Sequence, residues 1–140
     1  SLAALQKISQ AGIKSSVMIL MGLGGVNLSE QHAIASAKLM NAAQPDYLST
    51  LVVTLPLGTQ RMDRAFGGQF VLPDQRGLLT EMHTLLSHLS LNSTIFRSDH
   101  ASNYLVLKGV LGKDKPALMA QIEHALQGMV PLRQEWQRGL

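Results

Sequence analysis

Val17-Met18-Ile19-Leu20-Met21-Gly22-Leu23-Gly24-Gly25 is the stretch that decides the fold class. Its first five residues form an unbroken apolar run, the pattern expected of a strand buried on both faces. The glycines that follow let the backbone turn sharply or approach a ligand closely. A second stretch, Phe96-Arg97-Ser98-Asp99-His100-Ala101-Ser102-Asn103, has the same grammar, with a short apolar-leaning segment running into a polar cluster. In parallel α/β folds ligands bind where strands end at their carboxyl side, so the two stretches read as parts of one binding rim.

Working outward, Leu2, Leu5 and Ile8 repeat at helical spacing, and Gly12 follows where a left-handed cap is wanted. Downstream, Asn27 with Glu30 resembles a capping box, and the helix it opens carries Ala33, Ile34, Ala37 and Met40 and ends before Pro45. Tyr47 to Leu55 is rich in β-branched residues and reads as a second strand, stopped by Pro56-Leu57-Gly58-Thr59. Arg61 to Pro73 reads as a long loop holding Gly67-Gly68 and Phe70. Asp74 then caps a third helix through Leu78, Leu79, Met82, Leu85, Leu86 and Leu89. Ser93 to Phe96 is a short third strand, Tyr104 to Leu107 is extended, and Lys108-Gly109-Val110-Leu111-Gly112 reads as a turn. Asp114 with Pro116 opens a last helix striped by Leu118, Met119, Ile122, Ala125 and Leu126, with Gly128 ending it. The order is helix, strand, helix, strand, helix, strand, helix. Such alternation implies right-handed crossovers and a parallel sheet. Three strands leave unpaired edges and an inner face without its opposite wall, which suits part of a barrel better than a whole fold.

Composition narrows the classes. The chain has 140 residues, 46% of them hydrophobic and 15% charged, enough for one globular domain over 1–140. The apolar run is too short and too glycine-rich to span a bilayer, and no export signal is visible, so a cytoplasmic protein without a membrane partner is expected. The net charge of +3 is modest and aromatic content is 4%, so nucleic-acid binding is not expected. There is no cysteine, which removes disulfides and thiolate metal sites. His83 and His88 are five residues apart on one helix, the wrong spacing for two ligands on a face, and His32 and His124 stand singly, so no metal site is predicted. Opening on Ser1 inside a helical pattern, the chain reads as a segment of a longer protein.

The ordered set of motifs resembles the C-terminal part of a radical S-adenosylmethionine (radical SAM) protein, in the branch related to oxygen-independent coproporphyrinogen oxidase and elongator-type catalytic domains. Ala11-Gly12-Ile13-Lys14 through Met21-Gly22-Leu23-Gly24-Gly25 is similar to the fifth barrel strand of that family and its following loop. Pro45-Asp46-Tyr47-Leu48-Ser49 with Pro56-Leu57-Gly58-Thr59 is similar to the sixth strand and its turn. The Phe96–Tyr104 block with Leu107-Lys108-Gly109, and the ending Leu132-Arg133-Gln134-Glu135-Trp136 to Arg138-Gly139-Leu140, resemble one bacterial subgroup of uncharacterised members.

The resemblance implies a partial TIM-type (β/α) barrel of about three parallel strands alternating with four helices. It implies a parent enzyme that binds S-adenosylmethionine and a 4Fe-4S cluster, the cluster held on a Cys-x-x-x-Cys-x-x-Cys motif outside this chain, with the N-terminal half of the same domain as partner. The cofactor pocket is expected at Leu20 and Gly22, with Leu51 and Val53 on the next strand. Of the family's glycine-isoleucine-glycine-glutamate pattern on the fifth strand, only Leu20 and Gly22 fit here, while Met18 and Gly25 depart. Arg97, His100, Ser102 and Asn103 are the expected contacts to an unknown substrate: Arg97 can fork a carboxylate or phosphate, and His100 can move a proton. A tightly hydrogen-bonded turn in which Arg97 neutralises Asp99 explains the same block without a ligand. No catalytic residue is expected in this segment, which alone would be inactive. The alternative reading is a non-catalytic anion- or peptide-binding or oligomerisation module, and on either reading the open sheet edges favour self-association.

Overall fold

The structure, a computed structural model, describes residues 2–138; the Gly139-Leu140 end of the terminal block lies outside them. The chain folds into helices α1 (Leu2–Gln10), α2 (Ser29–Ala43), α3 (Gln60–Ala65), α4 (Gln75–His88) and α5 (Lys115–Leu126). Strands β1 (Ser16–Met21), β2 (Tyr47–Val52), β3 (Ile95–Ser98) and β4 (Leu107–Val110) form one open sheet in the spatial order β1-β2-β3-β4. β1 pairs with β2, and β2 with β3, in parallel; β3 and β4 pair antiparallel. The protein is therefore α/β with a mixed sheet, and the three strands expected from the sequence are the three parallel ones.

The fourth strand corrects the expectation of a turn at Lys108–Gly112. Gly109 misled because glycine weakens a strand pattern. Its bare α-carbon instead admits the start of α5: a β-carbon there would lie 2.9 Å from Cβ of Asp114 and 3.3 Å from Leu118 Cδ1.

Strand order settles where the helices lie. Because β1, β2 and β3 follow one another across the sheet without reversal, right-handed crossovers carry every connecting helix to the same side. Ile19, Met21, Leu48, Phe96 and Leu107 point to that side and are buried. They pack against Ala33, Ala37 and Met40 of α2, Leu78, Met82, Leu85 and Leu86 of α4, and Leu118 and Ile122 of α5. The opposite face is uncovered. Met18 is 59% exposed and Leu20 38%, and Tyr47, Ile95 and Val110 are exposed beside them. This corrects the expectation that Val17–Met21 is buried on both faces: the run is apolar throughout, yet only one of its faces has a helix layer over it.

Local chemistry fixes most element ends. The Asp74 side chain accepts the Gly77 amide at 2.7 Å and caps α4. Asn27 does not cap α2, which begins at Ser29 without a side-chain cap; Asn27 donates to the Gln69 carbonyl instead. The expected loop at Arg61–Pro73 contains most of α3. It is anchored by buried Phe70, by an edge-to-face contact of that ring with Phe66 (5.1 Å between centroids), and by the Val26 amide donating to the Val71 carbonyl. No helix among the described residues is long and apolar enough to cross a membrane.

Candidate functional site

The carboxyl ends of β1, β2 and β3 meet at one end of the sheet, and four polar constructions stand there.

The first lies behind β1. Gly22 turns the chain at φ +85°, and its amide donates to both carboxylate oxygens of Glu81 (3.2 and 3.1 Å). Glu81, on α4, is 1% exposed and also accepts from Ser29 Oγ at 3.0 Å and bonds His32 Nδ1 at 2.8 Å. A carboxylate that deep is tolerable only with such a full set of donors. The expected pocket glycine is thus enclosed: a β-carbon on Gly22 would meet Leu78 Cδ2 at 3.0 Å and Val53 Cγ1 at 3.3 Å. Neither Glu81 nor His32 was singled out as functional from the sequence. The available signal was the phase of α4, where Glu81 falls inside the stripe of Leu78, Met82 and Leu85 at a position that ought to be apolar.

The second is the uncovered face. Leu20 and Leu51 are register partners on β1 and β2 and lie side by side there, close to the strand ends. The row below runs Met18, Ser49, Arg97, Lys108 across all four strands. Asp99 stands between the two cations, 3.1 Å from Lys108 Nζ and 3.8 Å from Arg97 Nη1. The Lys108 hydrogen bond, above all, holds its carboxyl below the usual carboxylate range, with the charges of Lys108 and Arg97 adding to it. Arg97 therefore reaches the open face with a carboxylate already beside it.

The third is the loop after β3. Pairing of β2 with β3 ends at Ser49 and Arg97, leaving the Thr50 carbonyl and the Val52 amide facing a strand that has turned away. Asn103 Nδ2 donates to that carbonyl at 2.8 Å, and Ser102 Oγ accepts from that amide at 3.2 Å. Both residues are 2% exposed, so two expected substrate contacts serve as a surrogate strand. His100 is exposed, but its Nδ1 accepts the Ser102 amide (3.1 Å) and lies 2.9 Å from Ser102 Oγ. Since a backbone amide can only donate, the proton of the neutral ring sits on Nε2, which is then the ring's N–H donor.

The fourth is a cleft of about 400 Å³ beyond the end of β2, a volume within the range of small-molecule sites. Val52, Val53, Leu55, Leu72 and Leu78 wall it, and Tyr104 and Arg138 supply its polar edge. Arg138 is 8% exposed; its guanidinium lies 4.0 Å over the Tyr104 ring, with Nε donating to the Ser102 carbonyl at 3.0 Å and Nη1 to Glu135 Oε2 at 2.7 Å. The Tyr104 hydroxyl bonds Glu135. Burial, then that bond, pushes the phenol up, and the same bond holds the Glu135 carboxyl down.

The expected residues thus divide by face. Leu20, Leu51 and Arg97 share the open face; Val53 lines the cleft; Gly22, Ser102 and Asn103 are structural; His100 stands at the rim. Among the described residues no group of three or more histidine and acidic side chains could hold a metal. Comparison with protein-family models, curated proteins and solved structures finds no match to this chain.

Proposed function

We propose that this chain is the C-terminal barrel segment of a radical SAM enzyme, contributing part of the cofactor pocket and the substrate-facing rim. One observation carries the reading. Three consecutive parallel strands, β1 to β3, with the crossover helices α2 and α4 packed on one side and an uncovered face on the other, resemble an opened (β/α) barrel to which β4 adds antiparallel at the far edge. A doubly wound sheet reverses its strand order and covers both faces. The uncovered side then corresponds to the barrel interior, and the carboxyl ends of the strands to the ligand-binding end.

Fit to the cofactors differs between the two. S-adenosylmethionine fits Leu20 and Leu51, an apolar pair at the strand ends on which a purine can lie, with Val53 beside the end of β2. Gly22 acts from behind, holding the turn through Glu81. When bound in this family, S-adenosylmethionine supplies a 5′-deoxyadenosyl group that abstracts hydrogen. A 4Fe-4S cluster does not fit the residues present, since the chain has no cysteine, and its ligands belong to the remainder of the parent protein. Arg97 and the exposed His100 are the groups of this segment best placed to orient an anionic substrate and exchange a proton with it.

The test is made on the parent protein, reconstituted anaerobically with iron and sulfide. Dithionite with S-adenosylmethionine is expected to yield 5′-deoxyadenosine, and Leu20→Asp to weaken S-adenosylmethionine binding about tenfold or more, the loss expected on placing a charge against an apolar ring. A parent protein that lacks the three-cysteine motif, or that carries a cluster yet forms no 5′-deoxyadenosine, would favour the binding or assembly module.

A further inference from the structure

We propose that Thr50, Ser98 and Asn103 form an internal site for a single water molecule, which completes the junction between β2, β3 and the polar loop. Among the described residues, three buried side-chain oxygens there have no hydrogen-bond partner: Thr50 Oγ1, Ser98 Oγ and Asn103 Oδ1. Their residues are 1%, 1% and 2% exposed. Buried polar atoms are nearly always satisfied, by protein or by ordered water, so three orphans in one neighbourhood require a ligand.

The three are brought together by the fold. Thr50 and Ser98 each follow by one residue the last pair of β2 and β3, Ser49 with Arg97, and both side chains turn to the helix side of the sheet. Asn103 is fixed by its own amide: Nδ2 donates to the Thr50 carbonyl, so Oδ1 is the atom left to accept, and the flipped amide would set oxygen against oxygen.

Size and chemistry select the ligand. Ser98 and Asn103 line a cavity of about 20 Å³, and Thr50 does not line it but stands next to Ser98 on the neighbouring strand; the rest of the wall includes Met21, Leu79, Met82, Leu105 and Leu107. That volume holds one water and nothing larger. The donor set is neutral, so a desolvated ion would go uncompensated there. Water instead matches it: one hydrogen goes to Asn103 Oδ1, while each hydroxyl can donate or accept as required. The cavity shares Val52, Leu78 and Tyr104 with the cleft beyond β2, which gives the water a route for exchange. This site is independent of the reaction proposed above.

The test uses the methionine ε-methyl groups of Met21 and Met82 as reporters in water–methyl nuclear Overhauser spectra of the protein. Cross-peaks with the sign of a long-lived bound water are expected at both methyls. Thr50→Val, which keeps the side-chain shape, and Ser98→Ala should each weaken them at least twofold. Absence of cross-peaks from the assigned methyls of the unaltered protein would overturn the proposal without recourse to any variant. Cross-peaks unchanged in both variants would overturn the assignment to these side chains.

Discussion

Glu81 is the residue on which the ligand-binding end of β1 is built. Four donated contacts converge on it, and none can be replaced by water at 1% exposure. Glu81→Gln keeps the shape but sets an amide NH₂ against groups that already donate; we expect a loss of about 2–4 kcal/mol in urea unfolding. Asp99 is a carboxyl in the opposite setting, with its side chain 32% exposed between Lys108 and Arg97. Its folded carboxyl is depressed, so its contribution is present above the ordinary carboxylate range and is lost as pH falls through the folded value. A pair this exposed contributes at most about 1 kcal/mol, so Asp99→Asn should cost no more than that at pH 7 and flatten the acid limb of stability against pH. An undiminished acid limb in that variant would show that other carboxylates carry it.

At the scale of elements, the loop after β3 acts as a strand made of side chains. Ser102→Ala removes the acceptor that Ser102 Oγ offers the Val52 amide; that amide should exchange with solvent markedly faster while Met21-bonded Val53 stays protected, at a cost of about 1 kcal/mol. Equal exchange at Val52 in both proteins would refute this role. α4 depends on its cap, and Asp74→Ala should lower stability by about 1 kcal/mol in the same unfolding assay. These elements were unevenly legible in the sequence. Apolar runs and the aspartate before Gln75 mark β1, β2 and α4 directly, because local pattern and tertiary role agree there. β4 was hidden because Gly109 serves a helix contact nine residues further on, at Leu118, which no local pattern reveals. The polar block announced itself by composition, but its use did not. Whether Asn103 meets a ligand or the Thr50 carbonyl depends on a partner 53 residues away. Arg138 stood in the terminal block, but its bond to the Ser102 carbonyl across 36 residues was hidden for the same reason.

The whole molecule is a sheet with a helix layer on one side and none on the other. Exposed Met18, Leu20, Tyr47, Ile95 and Val110 on one face, together with the free edges of β1 and β4, are difficult to leave in water. The isolated chain should therefore self-associate with rising concentration in light scattering, and Met18→Lys with Leu20→Lys should return it to monomer; a monodisperse monomer at high concentration without these changes would argue that the face is stable bare. In the proposed parent enzyme the same face is closed by the rest of the barrel. The most direct measurement is an experimental structure of that parent protein. A further parallel strand bonded to the free edge of β1, with Leu20 and Leu51 turned into a closed cylinder, is the expected result. A β1 edge left in solvent or paired antiparallel, with the apolar face covered by something other than barrel strands, would contradict it.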